Sequence, residues 1–336
     1  MKRFLALSLF CLSSFLSQAS AAPIASEPAP LASQSLLLDI VSAGADKLVA
    51  VGEHGHILTS TDGNNWQQAQ VPVQSTLTSV YFVNEQSGWA VGHDASILHS
   101  NDGGLSWHVQ QYLPEREKPL LDIVFRDENH GLAVGAYGQL YRTHDGGKSW
   151  TFEFHDEFLH PDDADYIEEL KQEDEEAYLD EISSILPHFN RIFMDGRTLY
   201  LVGEIGLIAK SNDFGVSWQT FDEIYQGSFF DLTRTQQGNL LVAGLRGNVF
   251  RSLKNGTPWQ HVDTGTTALI NSIVLAGEES ILLLGNNGVL LESRDDGVSF
   301  TLKPQADGKA LIAGVWFKGK LVAVSDVGIK TITIMK

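Results

Sequence analysis

The chain has 336 residues, with 42 Asp or Glu against 23 Lys or Arg, a formal net charge of -19, 43% hydrophobic residues, 31 glycines and one cysteine. A surface this acidic repels phosphate backbones and anionic headgroups, which argues against nucleic acid and charge-driven membrane binding. The apolar share is ample for a core, so a disordered polyelectrolyte is excluded, and the length suits two ordinary domains or one large repetitive one.

Lys2 and Arg3 open the chain, residues 4–16 are apolar, and Ala19-Ser20-Ala21 supplies the small-x-small pattern of a signal peptidase site. Residues 1–21 are therefore predicted to be a secretory signal, leaving 22–336 as one domain in the periplasm or outside the cell. No later window reaches the roughly eighteen apolar residues of a membrane helix. Cys11 falls inside the signal, and the Ser8-Leu9-Phe10 before it is no lipoprotein cleavage box. The predicted mature chain has no thiol and a net charge of -21, so its core alone must hold it together.

From residue 37 onward one pattern recurs: an apolar strand, a loop, a second strand ending in glycine, a two-residue turn, a third strand, and a box Ser/Thr-x-Asp-x-Gly-x-x-Trp/Phe. The strand-ending glycines are Gly52, Gly92, Gly135, Gly203, Gly244 and Gly285, with Ser325 in the equivalent place of a last copy. Their spacings of 40, 43, 68, 41, 41 and 40 describe seven repeats with one long insertion. A period of about 41 residues with four short strands per unit predicts an all-β, seven-bladed β-propeller of four-stranded blades. Runs such as Leu48-Val49-Ala50-Val51 have the length and flanking glycines of buried strands.

The insertion, approximately residues 156–187, separates the third and fourth repeats. Residues 162–181 contain eleven acidic residues and one lysine, about half of the chain's net charge. Tyr166, Ile167, Leu170, Tyr178, Leu179 and Ile182 are spaced to form one apolar stripe, so an acidic amphipathic helix or helical hairpin ending at Pro187 is predicted. The last repeat, residues 311–334, supplies three strands only. Ring closure then predicts a fourth strand from within residues 24–35, where Pro28 and Pro30 are tolerable on an outer edge.

Four boxes are complete: residues 100–107, 143–150, 211–218 and 293–300. Residues 60–66 form a box one residue short, and residues 252–259 carry Lys254 in place of the aspartate. Such boxes are turn chemistry: Asp and Ser/Thr bond backbone amides, glycine adopts a conformation closed to other residues, and the aromatic plugs the space between blades. They resemble the Asp-box (BNR) repeats of sialidase-like propellers. The longer string from Asn129-His130-Gly131-Leu132-Ala133-Val134-Gly135 to Asp145-Gly146-Gly147 resembles the photosystem II stability and assembly factor family, over essentially the whole mature chain. That resemblance implies a seven-bladed, non-enzymatic exported protein that assists assembly or stabilisation of a membrane-associated complex. The acidic insertion and the two altered boxes depart from the family pattern.

Two sets of residues are candidates for binding. Aligning the innermost strands gives a channel ring of Asp39, Ser79, Asp122, Arg191, Asp231, Ser272 and Gly314, within which Asp39, Asp122, Arg191 and Asp231 would form a ligand or cation site. The two-residue turns share one rim and present His54, His93, Asp94, Tyr137, Glu204 and Arg246, beside the insertion. No catalytic residue, metal centre or cofactor is expected: His54 and His56 lack a third nearby ligand, and the Gly-x-x-Gly turns lead into strands, not helices. A monomer is expected, binding another exported or membrane protein with a basic surface. The alternatives are an Asp-box glycosidase, whose Phe/Tyr-Arg-Ile-Pro start is absent here, with Asn190-Arg191-Ile192-Phe193 as the nearest string, and a propeller binding a small ligand or cation.

Overall fold

The computed structural model describes residues 22–253 and 256–334; the predicted signal and Lys254 lie outside the described residues. Seven antiparallel sheets follow one another in chain order, spanning residues 37–68, 77–111, 120–152, 189–220, 229–262, 270–302 and 311–332, and are termed blades 1 to 7. Six are four-stranded and the seventh is three-stranded. Each inner strand packs against the next, and that of blade 7, Leu311–Phe317, packs against that of blade 1, Leu37–Ser42. The ring is therefore closed, as the seven-repeat period predicts.

Apolar residues dictate this arrangement because every second strand is covered on both faces. All five residues of Leu48–Gly52, Gly88–Gly92, Gly131–Gly135 and Leu240–Gly244 are buried, so these segments read as continuous apolar runs. The core is consequently a set of slabs between neighbouring blades, such as Val49, Val51, Val80, Ala90 and Trp107 between blades 1 and 2. The glycine ending each second strand has extended backbone, so its role is close approach. A Cβ on Gly52 would lie 2.2 Å from the Leu36 carbonyl oxygen, and the equivalent atoms on Gly92 and Gly244 would lie 2.1 and 2.2 Å from carbonyls.

Closure differs from expectation. Residues 24–35 form no strand: Ala32–Gln34 is a single 3₁₀ turn, and Ala32 is buried among Leu37, Val322 and Val324. The stretch before it is tied to blades 1 and 2 instead. Ser26 N donates to Val71 O at 2.9 Å, Ala29 N donates to Gln68 Oε1 at 2.8 Å, and Gln74 Nε2 donates to Ala25 O at 3.0 Å. The side chains of Gln68 and Gln74 satisfy this backbone, so it needs no strand partner.

The insertion is a helical pair, α1 (Pro161–Glu173) and α2 (Glu175–Glu181), joined at Asp174, whose carboxylate caps α2 by accepting from Ala177 N. It ends six residues before Pro187. Ile167 and Ile182 are buried, whereas Tyr166 and Leu179 are 47% and 56% exposed, so the apolar stripe is narrower than the spacing predicts. Its C-terminal end is anchored: Lys118 Nζ donates to Ser183 O at 2.6 Å, and Leu186 joins the core between blades 3 and 4.

Candidate functional site

Every inner strand carries a β-bulge just before its channel residue. In blade 1 Leu37 pairs with Gly52 but Asp39 pairs with Val51, and the same shift recurs before Ser79, Asp122, Arg191, Asp231 and Ser272. In blade 7 the shift falls before Ala313, which pairs with Val324, so the seventh ring residue is Ala313 and the alignment on Gly314 is one residue out of register. Alanine and glycine are equally silent to hydropathy at that point, and the bulge decides between them.

The ring aspartates are buried and each reaches into the next blade. Asp39 accepts from Ile40 N at 2.9 Å and, across the joint, from Val80 N at 3.0 Å. Asp122 does the same with Ile123 N and Ile192 N, at 2.9 and 2.8 Å, and Asp231 with Leu232 N and Ile273 N, at 2.8 and 2.7 Å. Ser79 Oγ lies 2.7 Å from Asp122 and 3.0 Å from Asp39. The odd-numbered blades 1, 3 and 5 are thus bonded to blades 2, 4 and 6.

The return joints use the preceding residue, which the alignment overlooks. Thr78 Oγ1 donates to Leu120 O, Asn190 Nδ2 to Phe229 O and Asn271 Nδ2 to Leu311 O, at 2.7, 2.9 and 2.8 Å. The signal was present in the sequence as an alternation, Leu38, Leu121 and Phe230 in odd blades against Thr78, Asn190 and Asn271 in even ones.

Arg191 stands within the ring, its Nε 3.4 Å from Asp122 and 3.8 Å from Asp231, and its Nη1 3.8 Å from Asp39. The four residues singled out from the sequence are therefore brought together. Asp39, Arg191 and Asp231 border a cavity of about 290 Å³, with Leu38, Asn190, Phe230 and Asn271 among its walls, while Asp122 lies outside its lining. Burial pushes the Asp231 carboxyl up to about 6, against the pull of Arg191 and two amides. Asp122 is also raised by burial, although Arg191 and Ser79 favour its ionised form. Arg191, held chiefly by Asp122, is raised further and stays charged.

Among the rim residues only some converge. Tyr137 meets His188 edge-on at 4.6 Å, with Lys118 Nζ 5.4 Å from its ring centroid. Glu204 accepts from His188 N at 3.1 Å. This cluster lies where the insertion rejoins blade 4. His54 belongs to the turn of blade 1, His93 and Asp94 to that of blade 2, and Arg246 to that of blade 5. His54, Tyr137 and Arg246 share the left-handed conformation, with φ of 57°, 55° and 58°, which projects each side chain from its turn.

The complete boxes are closed hydrogen-bonded turns. In residues 143–150, Thr143 Oγ1 donates to Asp145 Oδ1 and accepts from Gly147 N, while Asp145 accepts from Ser149 N and Oγ. The short box keeps this geometry because Asn65 Nδ2 donates to Asp62 where a serine hydroxyl does elsewhere. Two arginines that sequence reading overlooked join boxes to the preceding blade. Arg142, 5% exposed, forks onto Glu153 at 2.7 and 2.8 Å and donates to Phe214 O and Gly215 O. Arg251 likewise donates to the Asp296 carbonyl and carboxylate.

A family model described as photosynthesis system II assembly factor YCF48 matches residues 58–118. Over 48 residues, 14% of each chain, the protein is 46% identical to the photosystem II assembly protein Ycf48 of Synechococcus sp. (strain JA-3-3Ab). It is 28% identical over 236 residues, 69% of this chain and 62% of the relative, to the photosystem II assembly lipoprotein Ycf48 of Picosynechococcus sp.. The chain thus spans less than two thirds of the length of these relatives. A solved structure of YCF48 bound to D1 peptide superposes with a TM-score of 0.69 at 17% identity, covering 94% of this chain and 100% of that one. The resemblance read from the boxes stands, and the chain is similar to these assembly factors in sequence and in fold.

Proposed function

We propose that the protein is a non-catalytic, exported propeller that binds a segment of another exported or membrane protein and assists assembly or stabilisation of its complex. One observation carries the non-catalytic part. Each ring aspartate spends one carboxylate oxygen on the amide of the next residue and the other on an amide of the following blade, and the box aspartates spend theirs inside turns. An acid or base for glycoside hydrolysis needs a carboxyl free to face the substrate, so these carboxylates suit scaffold and not reaction. The relatives named as assembly proteins, and the one named as bound to a D1 peptide, support binding of a protein segment.

The proposed docking surface is the rim around Tyr137, His188 and Glu204, extended by α1 and α2. The eleven acidic residues there favour a basic partner segment by electrostatic attraction. Export rests on the predicted signal of residues 1–21, and one relative named as a lipoprotein is consistent with that route. Affinity capture from a periplasmic extract tests the reading, comparing the intact chain with one in which residues 162–181 are replaced by a neutral linker. Capture of the same protein by both forms, or of none by the intact chain, would overturn the docking proposal.

A further inference from the structure

The inner strands of all seven blades contribute to the cavity of about 290 Å³ beside Arg191, a volume near the lower end of the range for small-molecule pockets. Odd-numbered blades supply apolar walls, Leu38, Leu121, Phe230 and Ile312, and even-numbered ones supply Thr78, Asn190 and Asn271. These seven side chains are only half-buried, although each belongs to an innermost strand.

The polar groups of this cavity are not all used by the scaffold. The ion pairs of Arg191 with the three ring aspartates are 3.4 to 3.8 Å long, beyond the roughly 3.2 Å limit of an N–H···O bond. The oxygens that face it already accept amides, Asp39 Oδ2 from Val80 N, Asp122 Oδ2 from Ile192 N and Asp231 Oδ1 from Leu232 N. Its charge is therefore compensated, yet among the described residues nothing accepts a hydrogen bond from its guanidinium, and the side chain is 34% exposed. Ser272 differs from its counterpart Ser79 in the same way. Ser79 Oγ bonds Asp39 and Asp122 on either side, whereas Ser272 has Ala313 in the next blade, and its hydroxyl has no hydrogen-bond partner among the described residues. Asn190 and Asn271 give their Nδ2 groups to Phe229 O and Leu311 O, which leaves each Oδ1 as an acceptor.

Three carboxyls around one guanidinium leave no surplus positive charge for an anion. Carboxylates engaged with amides, with an arginine among them, do not suit a cation either. The remaining class is a small neutral ligand that both donates and accepts hydrogen bonds and has an apolar face. A pyranose ring meets each demand, because every hydroxyl is donor and acceptor and its C–H face can lie on an aromatic ring. We propose that this cavity binds one neutral sugar ring, with Phe230 under its apolar face, Arg191 and Ser272 donating to its oxygens, and Asn190 and Asn271 accepting from its hydroxyls. The site shares no residue with the rim cluster, so either proposal can fail alone.

Isothermal titration of the intact protein with D-glucose, D-galactose and D-mannose tests this. At least one is expected to bind with a Kd of about 1 mM or tighter. The uronic acid and the amino sugar of the same ring should bind about tenfold more weakly, because each adds a charge that the cavity cannot match. Ser272→Ala removes a hydroxyl without a described partner, and Phe230→Leu keeps an apolar wall without the ring face. Each should weaken binding about fivefold while a thermal melt shows the fold retained. Tighter binding of maltotriose than of glucose would make the end of a glycan the occupant, and the reverse a free monosaccharide. Absence of binding by all three hexoses up to about 50 mM would overturn the proposal. So would a uronic acid that binds more tightly than its neutral parent, or an affinity unchanged in both variants.

Discussion

Asp122 collects three donors, the amides of Ile123 and Ile192 and the Ser79 hydroxyl, and faces Arg191 at 3.4 Å. An amide in its place accepts through one oxygen and turns its NH₂ toward donors, so Asp122→Asn is expected to cost about 2 kcal/mol, read as a lower denaturant midpoint. Two other residues set opposing pH dependences. Asp231, at about 6 in the fold and near 3.9 unfolded, binds its proton more tightly when folded, so its contribution falls as pH rises from about 4 to 6. His99, lowered to about 4 by burial and by His108, gives the reverse, because the unfolded chain binds more protons between about 4 and 6.5. Thermal melts across this window should rise with pH more steeply in Asp231→Asn than in the parent. They should fall with pH in His99→Phe, whose ring can keep the 4.6 Å stack on Trp89.

Elements are joined by polar contacts whose donors and acceptors come from different blades, and this explains why only part of the site was legible. The ring aspartates stood out as charges inside apolar strands, as did Arg191. Thr78, Asn190 and Asn271 did not, because a polar residue at a strand position ordinarily faces solvent. Arg142 looked like any exposed strand arginine until folding placed it against the next blade's box. Removing it leaves Glu153 and two buried carbonyls without their donor, so Arg142→Ala is expected to cost about 3 kcal/mol in equilibrium unfolding. The insertion is positioned by a turn. Gly138 has φ of 70°, and a Cβ there would stand 2.3 Å from Leu186 Cβ, whereas Gly308, with φ of 64°, faces open space. Both alanine variants bear backbone strain of about 1 kcal/mol. Gly138→Ala should lose clearly more in thermal melts and should expose residues 182–188 to protease, since Leu186 must move.

At the scale of the molecule the seven joints are unequal. Three carry an aspartate staple and three a Thr or Asn staple, while the joint from blade 7 to blade 1 carries neither, because Ile312 and Ala313 meet Leu38 and Asp39. An odd number of blades cannot alternate all the way round. That joint depends on apolar packing of Leu37, Ile40, Ala313 and Phe317, with peripheral bonds from Lys318 to Thr61 O and from Thr331 to Gly63 O. Hydrogen exchange should therefore show blades 7 and 1 opening before blades 3 and 4, which share Asp122 and Arg142. Equal protection at all joints would contradict this.

The sequence by itself determined the number of blades, their order, the site of the insertion and the box turns. Each of these is encoded locally, by glycine spacing, by alternation between apolar runs and turns, and by residues that bond within eight positions of one another. Tertiary structure alone decided how the ring closes, which residue of blade 7 belongs to the channel, and which polar side chains bridge blades. Those outcomes depend on partners roughly 40 to 300 residues away, and on a bulge that shifts register by one residue without changing composition. The same distinction applies to the acidic charge. Its concentration in residues 162–181 is written in the chain, but its place beside Tyr137 and Glu204 follows from Leu186 and Lys118 anchoring the helices to the turn side of blade 3.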